Sequence, residues 1–309
     1  MRGTKSLLLF LALVLISLAA CSTGTPKPAG PTIDDLGRSV NIEKIPYRII
    51  SLAPSNTEIL FALGLENRVV GVTEYCNYPP GAADKAKIGE YYRPDIERII
   101  ALQPDLILAD SIHAEEVIPA LEEIGFILFA LAPENLDEIL EDIQIVGKIT
   151  GKESEADKLV TQMEGRIEAI TDKTKEMQAR PRVFHITWDE PLWSVGLGTL
   201  EQELIEKAGG VNIFRDTTGH NIVDLELVIA CNPEVIIACT GHGEAKDKPF
   251  EWAKSEPRLQ VTEARKNNKV HQIDADLVSR SGPRIVDALE WYAYFINPEI
   301  FGKPGEVIE

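Results

Sequence analysis

The sequence predicts an α/β fold of two similar lobes, each a parallel-type sheet covered by helices, joined by one long rigid helix. The first sign is an internal repeat. Residues 95–109 read DIERIIALQPDLILA and residues 224–238 read DLELVIACNPEVIIA, identical at seven of fifteen positions. Each copy opens with an Asp suited to cap a helix, sets a Glu two residues later, then reaches a Pro, an acid and a run of branched aliphatics fit for a buried strand. One copy lies in each half, a spacing far beyond the roughly 20–50 residues of a solenoid repeat. The second sign is alternation of strand and helix signals in both halves, the mark of a parallel, helix-covered sheet. The third is a long, proline-free, helix-periodic stretch between the halves.

The elements follow in order. TIDDLGRSVNIEKIP, with a turn at Leu36-Gly37, predicts a small hairpin, and Arg48–Ala53 a strand. Pro54 to Glu58 opens a helix with Ser55 or Asn56 as cap, ending at Gly64. Arg68–Val72 is a strand, and a loop through Tyr75, Tyr78, Pro79 and Pro80 leads to the first repeat. Ile118, Leu121 and Ile124 fall at helical spacing, and Phe126–Leu131 returns to strand. Apolar residues then recur at three and four over Leu136–Ile149 and Ala156–Met177. A single helix over Glu153–Gln178 spans about 39 Å, a stiff strut. The second lobe restarts with strand Arg182–Thr187, helix Glu201–Ala208, the second repeat, strand Lys269–Ile273 and a last helix over Pro283–Phe295.

The first twenty residues stand outside the fold. Arg2 and Lys5 form a positive head, Leu7–Leu18 is apolar, and Leu18-Ala19-Ala20-Cys21 ends on a cysteine. This predicts a secretory signal with a lipoprotein processing box, Cys21 becoming the lipid-modified first residue. STGTPKPAGPT reads as a flexible tether. The expected organisation is signal 1–20, tether 21–32, N-terminal lobe 33–150, connecting helix 151–180 and C-terminal lobe 181–309. Losing residues 1–20 takes the net charge from −18 to −20. That is a poor match to nucleic acid or to anionic membrane surfaces, leaving the lipid as the expected membrane contact.

Cys76, Cys231 and Cys239 form neither a CxxC nor an even framework. Cys231 and Cys239 end a helix and the next strand, which favours separate burial over a disulfide. The histidines His113, His185, His220, His242 and His271 lack metal-binding spacing, so no metal site is expected. GxSxG, a phosphate-binding P-loop and GxGxxG are absent from the sequence, so no catalytic residues and no enzyme are expected.

Four segments carry a resemblance: RIISLAPSNTEILFALGLENRVVGVTEYCNYPP (48–80), DIERIIALQPDLILAD (95–110), WSVGLGTLEQELIEKAGGVNIF (193–214) and DADLVSRSGPRIVDAL (274–289). With the tether and strut, the chain resembles the substrate-binding lipoproteins of ABC importers, in the class with a helical backbone that serves cobalamin, ferric siderophores and heme. Within that class it is most similar to cobalamin-binding proteins. The resemblance implies that cobalamin or a related corrinoid is held between the lobes and delivered to a permease dimer with its ATPase subunits. A ferric-siderophore or heme receptor is the alternative.

By the same resemblance the aromatic cleft positions fall on Tyr75, Tyr91 and Trp193, with Tyr92 and Trp188 close enough to share the role. Trp188 and Trp193 lie beside Asp189 and Pro191, a loop setting that favours cleft over core. Asp276 and Arg280 match positions that hydrogen-bond the ligand edge, and at four residues apart they also suit an ion pair with each other. Arg284 is expected to brace the last helix. His220 stands where the best-known relative has a tryptophan, and Asp110 replaces another aromatic there. His220 is therefore carried as a candidate contact. Glu97 and Glu226, equivalent in the two repeats, serve either the helix dipole or, as the resemblance implies, docking onto arginine pockets of a two-fold permease. Few cleft cations (Arg93, Arg280, Arg284) count against an anionic siderophore, while Tyr91, Tyr92 or His220 would be the axial candidates for heme.

Overall fold

The computed structural model describes residues 29–240 and 247–305. The signal segment, Cys21 and most of the tether lie outside the described residues. The expected hairpin is β1 (Gly30–Ile33) paired antiparallel with β2 (Ser39–Ile42), so residues 30–32, expected in the tether, belong to its first strand. The N-terminal sheet then assembles from β3 (Ile49–Ser51), helix α1 (Pro54–Ala62), β4 (Val69–Val72), α2 (Ile96–Leu102), β5 (Leu106–Ala109), α3 (Val117–Ile124) and β6 (Leu128–Ala130). Its strands are parallel in the order β4-β3-β5-β6. Their side chains are almost all buried, as expected when helices cover both faces.

Helix α4 (Leu136–Thr150) runs into α5 (Glu153–Thr174), the strut. At 22 residues the strut spans about 33 Å, shorter than expected from the sequence. Its end is set by Thr174, whose carbonyl accepts from Met177 N–H at 3.2 Å and from Arg180. The Thr174 hydroxyl turns to the Lys207 carbonyl.

The second lobe contains β7 (Arg182–Ile186), β8 (Trp188–Asp189), β9 (Leu192–Val195), α6 (Leu200–Lys207), β10 (Val211–Asn212) and β11 (His220–Ile222). There follow α7 (Leu225–Cys231), β12 (Val235–Cys239), α8 (Lys248–Ser255), α9 (Glu263–Lys266), β13 (Val270–Ile273), α10 (Ala275–Val278) and α11 (Ile285–Ile296). Its parallel sheet, β10-β7-β12-β13, has the strand order of the first with β7 for β3 and β12 for β5. A three-stranded antiparallel sheet, β11-β9-β8, is added in this lobe and had no strong signal in the sequence.

The likeness of the lobes extends to single hydrogen bonds. Both repeat helices end on a left-handed residue before proline, Gln103 (φ 46°) and Asn232 (φ 47°). Arg48 donates to the carbonyls of Leu102 and Gln103, and Arg182 to those of Cys231 and Asn232. Asp105 accepts from the Arg48 backbone N–H, and Glu234 from that of Arg182. Each pairing ties the first strand of a lobe to the end of its repeat helix, satisfying carbonyls that a helix terminus leaves open.

One apolar cluster runs through both lobes along the strut. It joins Ile59 and Leu60 of α1, Ile139 of α4, Val160, Met163 and Ile170 of α5, and Ile285, Val286 and Tyr292 of α11. Arg166 of the strut pairs with Asp287 and Glu290 of α11 at 2.5 and 2.8 Å. Cys76 and Cys239 are buried, and Cys76, Cys231 and Cys239 are free thiols.

Candidate functional site

The loop after β4 is fixed from beneath. Cys76 is buried, its Sγ 3.1 Å from the Thr57 hydroxyl and 3.2 Å from that of Thr73. Lys87 Nζ donates to the Cys76 carbonyl at 3.0 Å. Tyr75 and Asn77, flanking this anchor, line a cavity of about 460 Å³ with Tyr91, Tyr92, Asp110, the start of α1, and Asp276 and Arg280 from the other lobe.

Tyr91 is held rigidly. Its carbonyl lies 2.7 Å from His113 Nε2, while His113 Nδ1 accepts from the Asp110 N–H at 3.0 Å. The Nδ1 contact fixes the tautomer, so Nε2 carries the proton and donates to Tyr91. The Tyr91 ring stands edge-on to His113 at 5.5 Å and to Tyr92 at 6.0 Å. Burial, followed by the Asp110 carboxylate, pushes the Tyr91 phenol up from its ordinary value. Hydrogen bonds to Tyr92 and Glu90 push Tyr75 up to about 12.

The second lobe supplies the floor. Arg280, only 8 % exposed, donates to Glu58 at 3.1 Å, Asn77 at 2.8 Å, Asp276 at 2.5 Å and the Tyr75 carbonyl at 3.4 Å. Arg284 makes a fork to Glu58 at 2.9 and 2.6 Å and lies over the Tyr78 ring at 3.9 Å. Instead of bracing the last helix, as expected from the sequence, its side chain reaches across to α1 of the other lobe and to the loop after β4. Gly282 packs against Ser55 and Glu58 of α1 at ordinary van der Waals distance. The Asp276–Arg280 pair is not the exposed ion pair that spacing alone allows. It belongs to a network of two carboxylates and two guanidiniums, balanced in charge, in which Glu58 and Arg280 are buried and Asp276 and Arg284 partly so. Neither arginine is left over for an anion, whereas Asp110 and, at the rim, Glu90 add negative charge.

Of the sequence-predicted ligand residues, Tyr75, Tyr91, Tyr92, Asp276 and Arg280 come together here. Trp188, Trp193 and His220 do not line this cavity. The register of the antiparallel sheet sets Trp188 opposite Trp193 and Trp193 opposite Ile222, a row across three strands on one face. His220 points its Nε2 at the buried Glu201, 3.6 Å away, and that contact raises the imidazole above its ordinary value. Glu58 and Asn77, central to the floor, were not singled out in the sequence. Glu58 meets its partners more than two hundred residues away, and nothing local signals that. A larger cavity of about 600 Å³ lies on the other side of Glu58 and Arg284, between α1, the strut, Tyr78 and the start of α11, with Phe61, Leu159, Met163 and Asp287 in its wall. Its arginines, Arg166 and Arg284, are paired with Asp287 and Glu58, and none of the tyrosines Tyr75, Tyr91 and Tyr92 lines it. Among the described residues, no group of three or more His, Cys, Asp or Glu is placed to hold a metal ion.

Glu97 and Glu226 stand exposed in the first turns of α2 and α7. Asp95 caps the Arg98 N–H in one copy and Asp224 the Glu226 N–H in the other. The strand and helix equivalences above make their placement symmetric within the molecule.

Comparison with known proteins agrees with this architecture. A family model described as periplasmic binding protein matches residues 49–277. The chain is 32 % identical over 279 residues to an uncharacterized ABC transporter substrate-binding lipoprotein, YvrC, of Bacillus subtilis, covering 87 % of this chain and 86 % of that one. It is 30 % identical over 253 residues to the vitamin B12-binding protein of Vibrio cholerae, covering 81 % and 89 %. The periplasmic heme-binding protein RhuT of Roseiflexus in apo form superposes with a TM-score of 0.71 at 27 % identity, covering 81 % of this chain and 98 % of that one. The chain belongs to the periplasmic binding protein family, as an extracytoplasmic solute-binding component of an ABC transporter and not an enzyme.

Proposed function

We propose that this protein captures cobalamin or a related corrinoid between its lobes and delivers it to an ABC importer, held at the membrane by a lipid on Cys21. The observation that carries the ligand class is the charge of the Tyr-lined cavity. Arg280 and Arg284 are already engaged by Glu58 and Asp276, and Asp110 is added. An anionic ferric siderophore or the carboxylates of heme would meet no uncommitted cation among the lining residues. A corrinoid presents a flat, amphipathic ring edged with primary amides. Those amides suit tyrosine faces and carboxylate acceptors. The Trp188–Trp193–Ile222 row is proposed as a second wall, met by a ligand larger than the cavity itself. The experiment is a melting series with cyanocobalamin, hemin and a ferric catecholate. At 100 times its dissociation constant, cyanocobalamin should add about 2.7 kcal/mol of stability. A shift with hemin alone would replace the corrinoid reading with the heme one.

Delivery rests on Glu97 and Glu226 docking onto a two-fold permease that works with its ATPase subunits. A symmetric partner calls for matched contacts from both lobes, and the repeat supplies them. Glu97→Ala with Glu226→Ala should leave ligand affinity unchanged and sharply reduce uptake. Breaking a charge pair across an interface costs about 2–5 kcal/mol, much of it from the stranded cation. If the pair serves the helix dipole instead, uptake stays normal and each helix loses about 0.3–1 kcal/mol.

A further inference from the structure

The Tyr-lined cavity has two unlike sides. On the floor the charges are settled: Arg280 and Arg284 are spent on Glu58 and Asp276. The lining hydroxyl of Ser279 is likewise given to the Ala275 carbonyl at 2.7 Å. On the wall made by the first lobe, the Asp110 carboxylate lines the cavity with Tyr75, Tyr91 and Tyr92. Its partners among the described residues are neutral. Oδ1 accepts from the Ser111 hydroxyl at 3.1 Å and the Ile112 N–H at 3.2 Å, and the Asp110 backbone N–H goes to His113 Nδ1 at 3.0 Å. His113 is fully buried, with its one proton on Nε2, so it brings no charge. Arg93, on the loop of Tyr91 and Tyr92, is exposed and does not line the cavity.

The hydrogen-bond inventory of this wall is one-sided. The Tyr91 phenol leans on the Asp110 carboxylate, and the Tyr75 phenol on Tyr92 and Glu90. A phenol has a single O–H. Once that hydrogen turns to a neighbouring residue, the phenol leaves a ligand only its oxygen lone pairs and its ring. The wall thus offers acceptors and aromatic faces beside a negative charge that no cation balances. A ligand group bringing N–H is matched there. A carboxylate is not, since it brings no donor and sets like charge against Asp110.

We infer that Asp110 is a specificity-determining residue: with Tyr75 and Tyr91 it makes the first-lobe wall a filter that accepts the primary-amide edge of a corrinoid and refuses that edge where an amide is replaced by a carboxylic acid. The inference rests on the corrinoid reading and deepens it, dividing fully amidated corrinoids from acids of the same ring. Shape cannot draw that line, because a primary amide and a carboxylate are nearly equal in size. Charge and the direction of hydrogen bonding can.

The probes are cyanocobalamin and its monocarboxylic acids, in each of which a single propionamide is hydrolysed, titrated calorimetrically into the protein at neutral pH. At least one acid should bind roughly three- to tenfold more weakly than cyanocobalamin, the size of a like-charge repulsion across a few ångströms at a partly exposed site. That penalty should shrink as salt is raised, because exposed charges are screened. Asp110→Asn keeps an oxygen to accept from Ser111 and Ile112. It should move the two ligands in opposite directions, cyanocobalamin weaker and the penalised acid tighter. Every acid binding as tightly as cyanocobalamin, a penalty indifferent to salt, or a penalty that survives in folded Asp110→Asn would each overturn the inference. Those outcomes leave cyanocobalamin capture intact, whereas no binding of cyanocobalamin at all would remove the corrinoid reading and the filter with it.

Discussion

Asp142 of α4 shows how one residue sets a pH dependence. It is 2 % exposed, and its Oδ2 has no hydrogen-bond partner among the described residues. Burial, with repulsion from the Asp35 carboxylate, pushes its pKa up to about 9 from an ordinary 3.8. Folded protein therefore keeps a proton that the unfolded chain releases above about pH 4. The sign follows: this group's contribution to stability is full below about pH 4 and is lost as the pH rises towards 9. Asp142→Asn carries a neutral amide in the same space, so it should melt higher than wild type at pH 7–8, with the gap closing near pH 4. A lower melting point for Asp142→Asn at every pH would contradict this. The residue scale is also where the sequence was least legible. Tyr75, Tyr91, Arg280 and Asp276 were found through resemblance, whereas Glu58 was read as part of a helix start. The expected caps Ser55 and Asn56 fail for the same reason: Asn56 is buried and gives its side-chain N–H to the Ala109 carbonyl at 2.7 Å. The α1 N-cap is Ala53, with no side-chain bond. Tertiary partners had claimed the polar groups that local rules assign to capping.

Elements with long, periodic signals were legible, and short ones were not. The repeat helices and strands, α4 and the strut fall where the sequence puts them to within a few residues. The sheet β11-β9-β8 was missed because β8 is two residues long and its strands show no alternation long enough to detect. Two glycines of the strut region separate packing from helix propensity. A methyl at Gly165, mid-strut, meets nothing within 4 Å, so Gly165→Ala should stabilise by about 0.5–1 kcal/mol. Gly147 of α4 lies against Ala156 of α5, closer than a methyl allows. Gly147→Ala should therefore destabilise, by about 1–3 kcal/mol for overpacking. Denaturant melts of the two variants check the pair. A destabilised Gly165→Ala would mean that the strut does not run as a regular helix through that point.

At the scale of the whole molecule, two-lobed architecture was legible because a buried strand and its capping helix leave a strong pattern, and that pattern occurs twice. What the repeat does not reveal is how the lobes are held. The strut and its shared apolar cluster run along one side, and the network of Glu58, Arg280, Arg284 and Asp276 crosses between the lobes beneath the cavity. Ligand captured there touches both lobes and the loop that Arg280 holds. The central claim is that a corrinoid occupies this Tyr-lined cavity. Hydrogen exchange with and without saturating cyanocobalamin tests it directly. Slower exchange is expected in residues 74–78, 90–93 and 276–282, with the strut unchanged. Exchange that is unaltered in all three segments, or protection confined to α1 and α5 around Phe61 and Met163, would contradict it.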